Sequence, residues 1–249
     1  MSNSNLVTYT RLSPHKNSPR NHVIDTITIH CIVGQWTAKQ GCDYFATTDR
    51  DCSANYVVGK DGSIGLSVEE KDRSWCSSSG SNDHRAVTIE VASDATHPYA
   101  VTDAAYKALV DLCVDICQRN GIKELKWKAD KSLIGQVDKQ NMTVHRWFAN
   151  KACPGDYLYN RHGQIAAEVN ARLGASSKPS GGGEVSTPGK DEKPTPGLAV
   201  GSVVTFTGTK HYISSMAVNG KSCKPGEAKV TAVAKSGKHP YHLIKTTGS

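Results

Sequence analysis

Apolar residues recur along the first 174 positions with two different periods, and the alternation of the two predicts an α/β fold. In Thr26-Ile27-Thr28-Ile29-His30 the isoleucines take one face, and His30 shares the other with two threonines, because successive side chains alternate across a strand. Val87-Thr88-Ile89-Glu90-Val91 repeats the pattern with Glu90, and Thr143-Val144-His145 repeats it with His145. Three strands are therefore expected to project His30, Glu90 and His145 from faces opposite their aliphatic neighbours. Residues 55–59 and 60–64 read as a hairpin, with Asp61-Gly62 supplying residues that suit a tight turn.

Helical periods fill the intervals. Thr37 and Gln40 have capping-box spacing and open a short helix through about Phe45. From Thr102 to Asn120, apolar residues at 105, 109, 112, 113 and 116 mark one helix face, and Gly121 suits its C-terminal cap. Leu158, Ile165, Val169 and Leu173 place an apolar stripe on one last helix, with Gly174 able to end it.

From 175 to 197 the chain turns to Ser, Gly, Pro and Lys, a composition that cannot bury apolar surface and reads as an interdomain linker. Beyond it, residues 198–249 carry short β-rich runs at 203–206, 229–233 and 241–244, as in a small all-β barrel. The expected organisation is thus a domain at 1–174, a linker at 175–197 and a module at 198–249. Charge follows the same division: Lys and Arg against Asp and Glu number 20 to 19, then 3 to 3, then 7 to 1. Nearly all of the +7 net charge sits in the last module, so an anionic polymer is its expected partner. The near-neutral first domain argues against a nucleic-acid binder, which needs a basic stripe with aromatics on one element. No stretch approaches 18 apolar residues, and the N-terminus lacks the basic and apolar regions of a secretory signal. Synthesis in the cytoplasm without membrane insertion is expected. The eight cysteines then read as thiols or metal ligands rather than a disulfide framework, with Cys113 and Cys117 as packing residues.

Two imidazoles and a thiolate, His30, His145 and Cys153, form a donor set that zinc favours. Three protein ligands leave a fourth tetrahedral position open, which separates catalytic zinc sites from closed structural ones. The segments Thr26–His30, Ser53-Ala-Asn-Tyr56-Val-Val-Gly-Lys-Asp-Gly62, Val87-Thr-Ile-Glu90-Val-Ala92 and Thr143-Val-His145-Arg-Trp-Phe-Ala-Asn-Lys151-Ala-Cys153-Pro-Gly155 resemble the successive motifs of the type 2 N-acetylmuramoyl-L-alanine amidases, a superfamily that includes the peptidoglycan recognition proteins. The resemblance spans about residues 23–174. It implies the zinc amidase fold, with a mixed central sheet flanked by helices, hydrolysis of the amide between N-acetylmuramic acid and L-alanine in peptidoglycan, and zinc held by His30, His145 and Cys153. It also implies that Tyr56 borders the open metal position, that Lys151 faces the developing oxyanion, and that Glu90 acts as general acid or base. Trp75-Cys76 departs from the Trp-His of many relatives.

Residues 198–249 resemble bacterial SH3-like cell-wall-binding domains, chiefly in Gly201-Ser-Val-Val-Thr-Phe206, His211-Tyr212 and His239-Pro-Tyr241-His-Leu-Ile244. Such domains carry one more strand than the pattern shows before Ser249, which leaves either the barrel or the given chain short. A wall hydrolase lacking a signal fits a phage endolysin, with anionic wall polymers as partners of the basic module. The competing reading is a non-catalytic peptidoglycan binder on the same fold; such proteins tend to lose the third ligand, whereas this chain keeps Cys153.

Overall fold

The computed structural model of the chain describes residues 2–176, 203–206, 210–211, 221–222, 224, 226–233 and 241–245. It divides into two units between residues 181 and 182. Along the first run β1 (Tyr9–Thr10), β2 (Lys16–Asn17), β3 (Thr26–Val33), α1 (Ala38–Thr47), β4 (Tyr56–Val58), β5 (Ile64–Leu66), β6 (Arg73–Ser74), α2 (Gly80–Arg85), β7 (Ala86–Ser93), α3 (Asp103–Asn120), β8 (Met142–Thr143), α4 (Gly155–Tyr159) and α5 (His162–Ser176).

The main sheet has strand order β1-β5-β4-β7-β3-β8, and every neighbouring pair is parallel except β4 with β5. This is the mixed sheet that the resemblance implies. At its centre β3 and β7 pair over eight residues, from Thr26 opposite Ala86 to Val33 opposite Ser93. Ile27, Ile29 and Ile89 are fully buried on one face with Leu109, Leu112 and Ile116 of α3 and Ile165 and Val169 of α5. Those two helices cover that face. The other face packs Val57 against Cys42 and Phe45 of α1, leaving room there for the polar side chains of β3 and β7.

Local signals place the helices. At α1, Gln40 N–H donates to Thr37 Oγ1 and Thr37 N–H donates to Gln40 Oε1, the reciprocal capping box. Gly65 lets α1 approach β5 closely, since a Cβ there would lie 2.5 Å from Cys42 Sγ. Helix α3 starts on Thr102 and ends on Gly121 in the left-handed conformation (φ 71°), which costs glycine little. Cys113 and Cys117 are buried within it.

Two expectations change. The single last helix is two helices, α4 and α5: the Leu158 carbonyl accepts from Arg161 N–H (2.9 Å), a tight turn at the end of α4, and lies 2.8 Å from the His162 ring Nδ1. Strand β8 stops at Thr143, and His145 opens a 3₁₀ turn over residues 145–147, so it stands at a strand end and not on a strand face.

In the second unit β9 (Val203–Phe206), β12 (Gly226–Val233) and β13 (Tyr241–Lys245) form an antiparallel sheet of order β13-β12-β9, and β10 (Lys210–His211) pairs with β11 (Lys221–Ser222). Ala228 and Val230 are its buried residues among those described. The expected linker lies outside the described residues, except that 175–176 still belong to α5. Tyr212, Cys223, His239 and Pro240 also lie outside them.

His162, fully buried beside Trp127 (ring centroids 4.5 Å apart), makes the fold sensitive to acid. Burial pushes its pKa down to about 4, the Leu158 bond works against this and the Arg146 charge adds to it. An unfolded histidine binds its proton near pH 6.5, so the unfolded state gains protons first and stability falls as pH drops from about 6.5 toward 4. The expected loss at pH 4.5 is about 2–3 kcal/mol. Urea unfolding of metal-stripped protein at pH 7 and 4.5 checks it, and His162→Gln should show a smaller loss than the parent.

Candidate metal centre and active-site groove

Strand β3 brings its alternating face to the site. His30 is fully buried, its Nδ1 lies 3.4 Å from Cys153 Sγ, and its ring is edge-on to His145 at a centroid distance of 5.2 Å. The donor atoms of His30, His145 and Cys153 all lie within 4.8 Å of one another. These residues fit a tetrahedral zinc ion: with Zn–S near 2.3 Å and Zn–N near 2.0–2.1 Å, a sulfur and a nitrogen sharing the ion stand about 3.5 Å apart. His145 Nε2 lies 2.9 Å from Ser78 Oγ, which leaves Nδ1 for a cation and orients the ring as an outer-shell partner does. Burial drives both imidazoles toward the neutral, ligating form; the charges of His145 and His162 add to this at His30, and that of Lys151 at His145. Burial also pushes the Cys153 thiol up, so a cation must displace its proton on binding.

The loop between His145 and Cys153 is tied at its base. Arg146 N–H donates to the Cys153 carbonyl (3.2 Å), and its guanidinium donates to the Ala152 carbonyl (2.5 Å) and Asp156 Oδ1 (3.1 Å). Beneath the site the hydroxyls of Thr28 and Thr143 meet at 2.7 Å, and the Asn82 amide bonds to both. The threonines that alternate with His30 are thus satisfied although buried.

Glu90 stands opposite His30 in the β3–β7 register. Burial is the main cause that raises its pKa to about 8; a nearby Cys31 charge adds to this, and the Cys76 thiol, which donates to Oε1 at 3.8 Å, opposes it. A groove of about 230 Å³ opens beside these groups, lined by Glu90, His145 and Cys76 and by the aromatic side chains of Trp36, Tyr44 and Trp75. Lys151 is exposed on the ligand loop, near enough for its charge to act on His145.

The sequence pattern of the N-acetylmuramoyl-L-alanine amidase family matches residues 20–156, more than half of the chain, and the chain belongs to that family, whose substrate is peptidoglycan. No curated protein matches. Among solved structures, similarity is found to a derivative of AmpD (20% identity, TM-score 0.48, 64% of this chain and 93% of that one). A mutant endolysin from Bacillus subtilis is similar at 16% identity and TM-score 0.47 over 66% and 99% of the two chains. The endolysin amidase LysCS from Clostridium intestinale is similar at 14% and 0.42 over 66% and 97%. No residue's role rests on these three.

The site gathers five of the six residues that the sequence singles out and leaves out Tyr56. Because Tyr56 pairs with Ile89 and Val57 with Glu90, Tyr56 faces the isoleucine side of the sheet, opposite His30 and Glu90. There its hydroxyl donates to the buried Glu70 at 2.6 Å and accepts from Ser4 N–H at 2.8 Å. Glu70 also receives Arg119 and Asn120, so Tyr56 belongs to a structural network. Three site contributors escape the sequence pattern: Ser78, Cys76 and the groove aromatics. Of these, only Cys76 carries a signal, its departure from the family's Trp-His. Tyr56→Phe should leave turnover on cell walls near the parent rate and cost about 1–3 kcal/mol of stability, since a buried carboxylate loses a donor. Parallel lysis assays and denaturant melts separate the two effects.

Proposed function

We propose that this chain hydrolyses the amide bond between N-acetylmuramic acid and L-alanine with one zinc ion held by His30, His145 and Cys153. The observation that carries the reading is the 3.4 Å separation of His30 Nδ1 and Cys153 Sγ, the edge length of a tetrahedral zinc site, with His145 completing the set. Bound there, zinc would supply a Lewis acid for the scissile carbonyl and an activated water at neutral pH. Glu90 takes the proton of the attacking water and passes it to the leaving amine, a role suited to a carboxylate whose pKa is lifted toward neutrality. Lys151 opposes the negative charge that grows on the carbonyl oxygen, an interaction stronger in the transition state than in the ground state. Trp36, Tyr44 and Trp75 offer apolar faces beside these groups for the glycan or stem peptide. A binding protein without catalysis would have no use for the open-sided ligand set together with a half-buried Glu90.

Purified protein should contain about one zinc, and mass spectrometry of digested peptidoglycan should show free N-terminal alanine on the released stem peptides. A strong chelator should abolish that product, and added zinc should restore it. Zinc-free protein with full activity, or cleavage at another bond, would overturn the proposal.

Residues 198–249, basic and carrying β-strands, act in this reading as an SH3-like wall anchor behind the linker, and the whole acts as an endolysin on the wall from within. No helix among the described residues is long and apolar enough to cross a membrane. Electrostatic attraction to phosphate-rich wall polymers raises the local substrate concentration for the tethered amidase. Deleting residues 175–249 should reduce sedimentation with purified walls and leave cleavage of a soluble muramyl peptide largely unchanged. Wall binding of the full chain should fall with salt, because exposed charges are screened beyond about 8 Å at physiological ionic strength. Equal pelleting of both forms would show that the module is not the anchor.

A further inference from the structure

We infer that Cys76 and Glu90, together with His30, form a second and weaker position for a thiophilic divalent cation, and that its occupancy inhibits the amidase. The inhibition rests on the role proposed for Glu90; the binding does not. Donor atoms of His30, Cys76 and Glu90 lie within 4.8 Å of one another. Cys76 Sγ stands 3.8 Å from Glu90 Oε1, close to the roughly 3.5 Å expected of a sulfur and an oxygen on one tetrahedral ion.

The second observation is a pair of buried polar atoms without partners, Glu90 Oε2 and His30 Nε2. His30 is fully buried, and its Nδ1 faces Cys153. The two nitrogens of an imidazole point away from each other, so a ring that gives Nδ1 to the first set has Nε2 left for another. Leaving a buried carboxylate oxygen and a ring nitrogen unmatched is costly, and a cation satisfies both. The backbone around the thiol is held in place, since Asp83 Oδ2 accepts from the amides of Cys76 and Ser77, each at 3.0 Å.

Donor chemistry selects the ion. Thiolate with imidazole and one carboxylate suits zinc, cobalt or cadmium and does not suit magnesium or calcium, which take oxygen ligands. Binding exchanges the cation for the protons of the Cys76 thiol, of His30 Nε2 and of Glu90 in its neutral form, all released to solvent, with no change of oxidation state. It is weaker than the first position because those protons must leave a buried site and because two divalent ions that share one imidazole repel each other. A carboxylate that ligates a cation cannot carry the proton between water and amine. The rate should therefore rise through the first equivalent of zinc and fall through the second.

The test uses the full chain carrying one zinc, dialysed against rising zinc, with bound metal and hydrolysis rate measured together. The parent should take up a second zinc with a matching loss of rate. Cys76→Ser should bind the second at least about tenfold more weakly and resist the inhibition. Cobalt given as the second equivalent should add a thiolate-to-cobalt absorption in the parent that Cys76→Ser lacks. A parent that stops at one zinc and stays active in excess zinc overturns this inference and leaves the amidase reading standing. A second zinc bound equally by Cys76→Ser overturns it as well, and protein that binds no zinc overturns both readings.

Discussion

The eight-residue parallel register between β3 and β7 is the constraint on which the rest of the molecule depends. Strand side chains alternate, so a slip of one residue in either strand would turn its His30 or Glu90 into the apolar layer and carry Ile29 or Ile89 to the polar face. Each fully buried isoleucine contributes about 1.5–3 kcal/mol, and Ile27, Ile29 and Ile89 are all fully buried, so that slip is heavily penalised. The energy that fixes the donors in place is thus supplied by the opposite face. In turn the polar face has to be satisfied: Thr28 meets Thr143 and Asn82, while Thr88 meets Ser74 and Asn55. The floor of the site is a closed hydrogen-bond network.

Burial acts on every titratable group of the cluster in one direction. It favours the neutral form of His30 and His145, of the Cys153 and Cys76 thiols and of Glu90. A cation that enters the cluster must therefore displace protons from the thiols and from Glu90, which ties its binding to pH.

Much of this was legible along the chain. Alternation gives the face of His30 and Glu90, the capping pair at Thr37 and Gln40 gives the start of α1, and Gly121 gives the end of α3. What escaped depends on partners distant in sequence. Tyr56, Val57 and Val58 are all apolar and all buried, so alternation cannot orient Tyr56; its face is set by pairing with Ile89, 33 positions on. His145 continues a strand-like run, yet β3 pairs with only two residues of β8, and the chain then turns to close the ligand loop. The break between α4 and α5 is local instead: the Leu158 carbonyl meets both the Arg161 amide and the His162 ring, which no periodicity records.

The Arg146 fork has a consequence for how the centre fills. Because that guanidinium closes the ligand loop on the Ala152 carbonyl and Asp156, and β3 holds His30 rigidly, the three donors belong to a frame that folds on interactions of its own. Small zinc-finger domains differ, since there the ion is the core and its removal unfolds the chain. In the proposed centre an ion would add stability through mass action, in proportion to the logarithm of its concentration over its dissociation constant. Under the proposed function, such a polypeptide would fold before it meets its metal, and would lose and regain it as a machine part is exchanged, without being rebuilt.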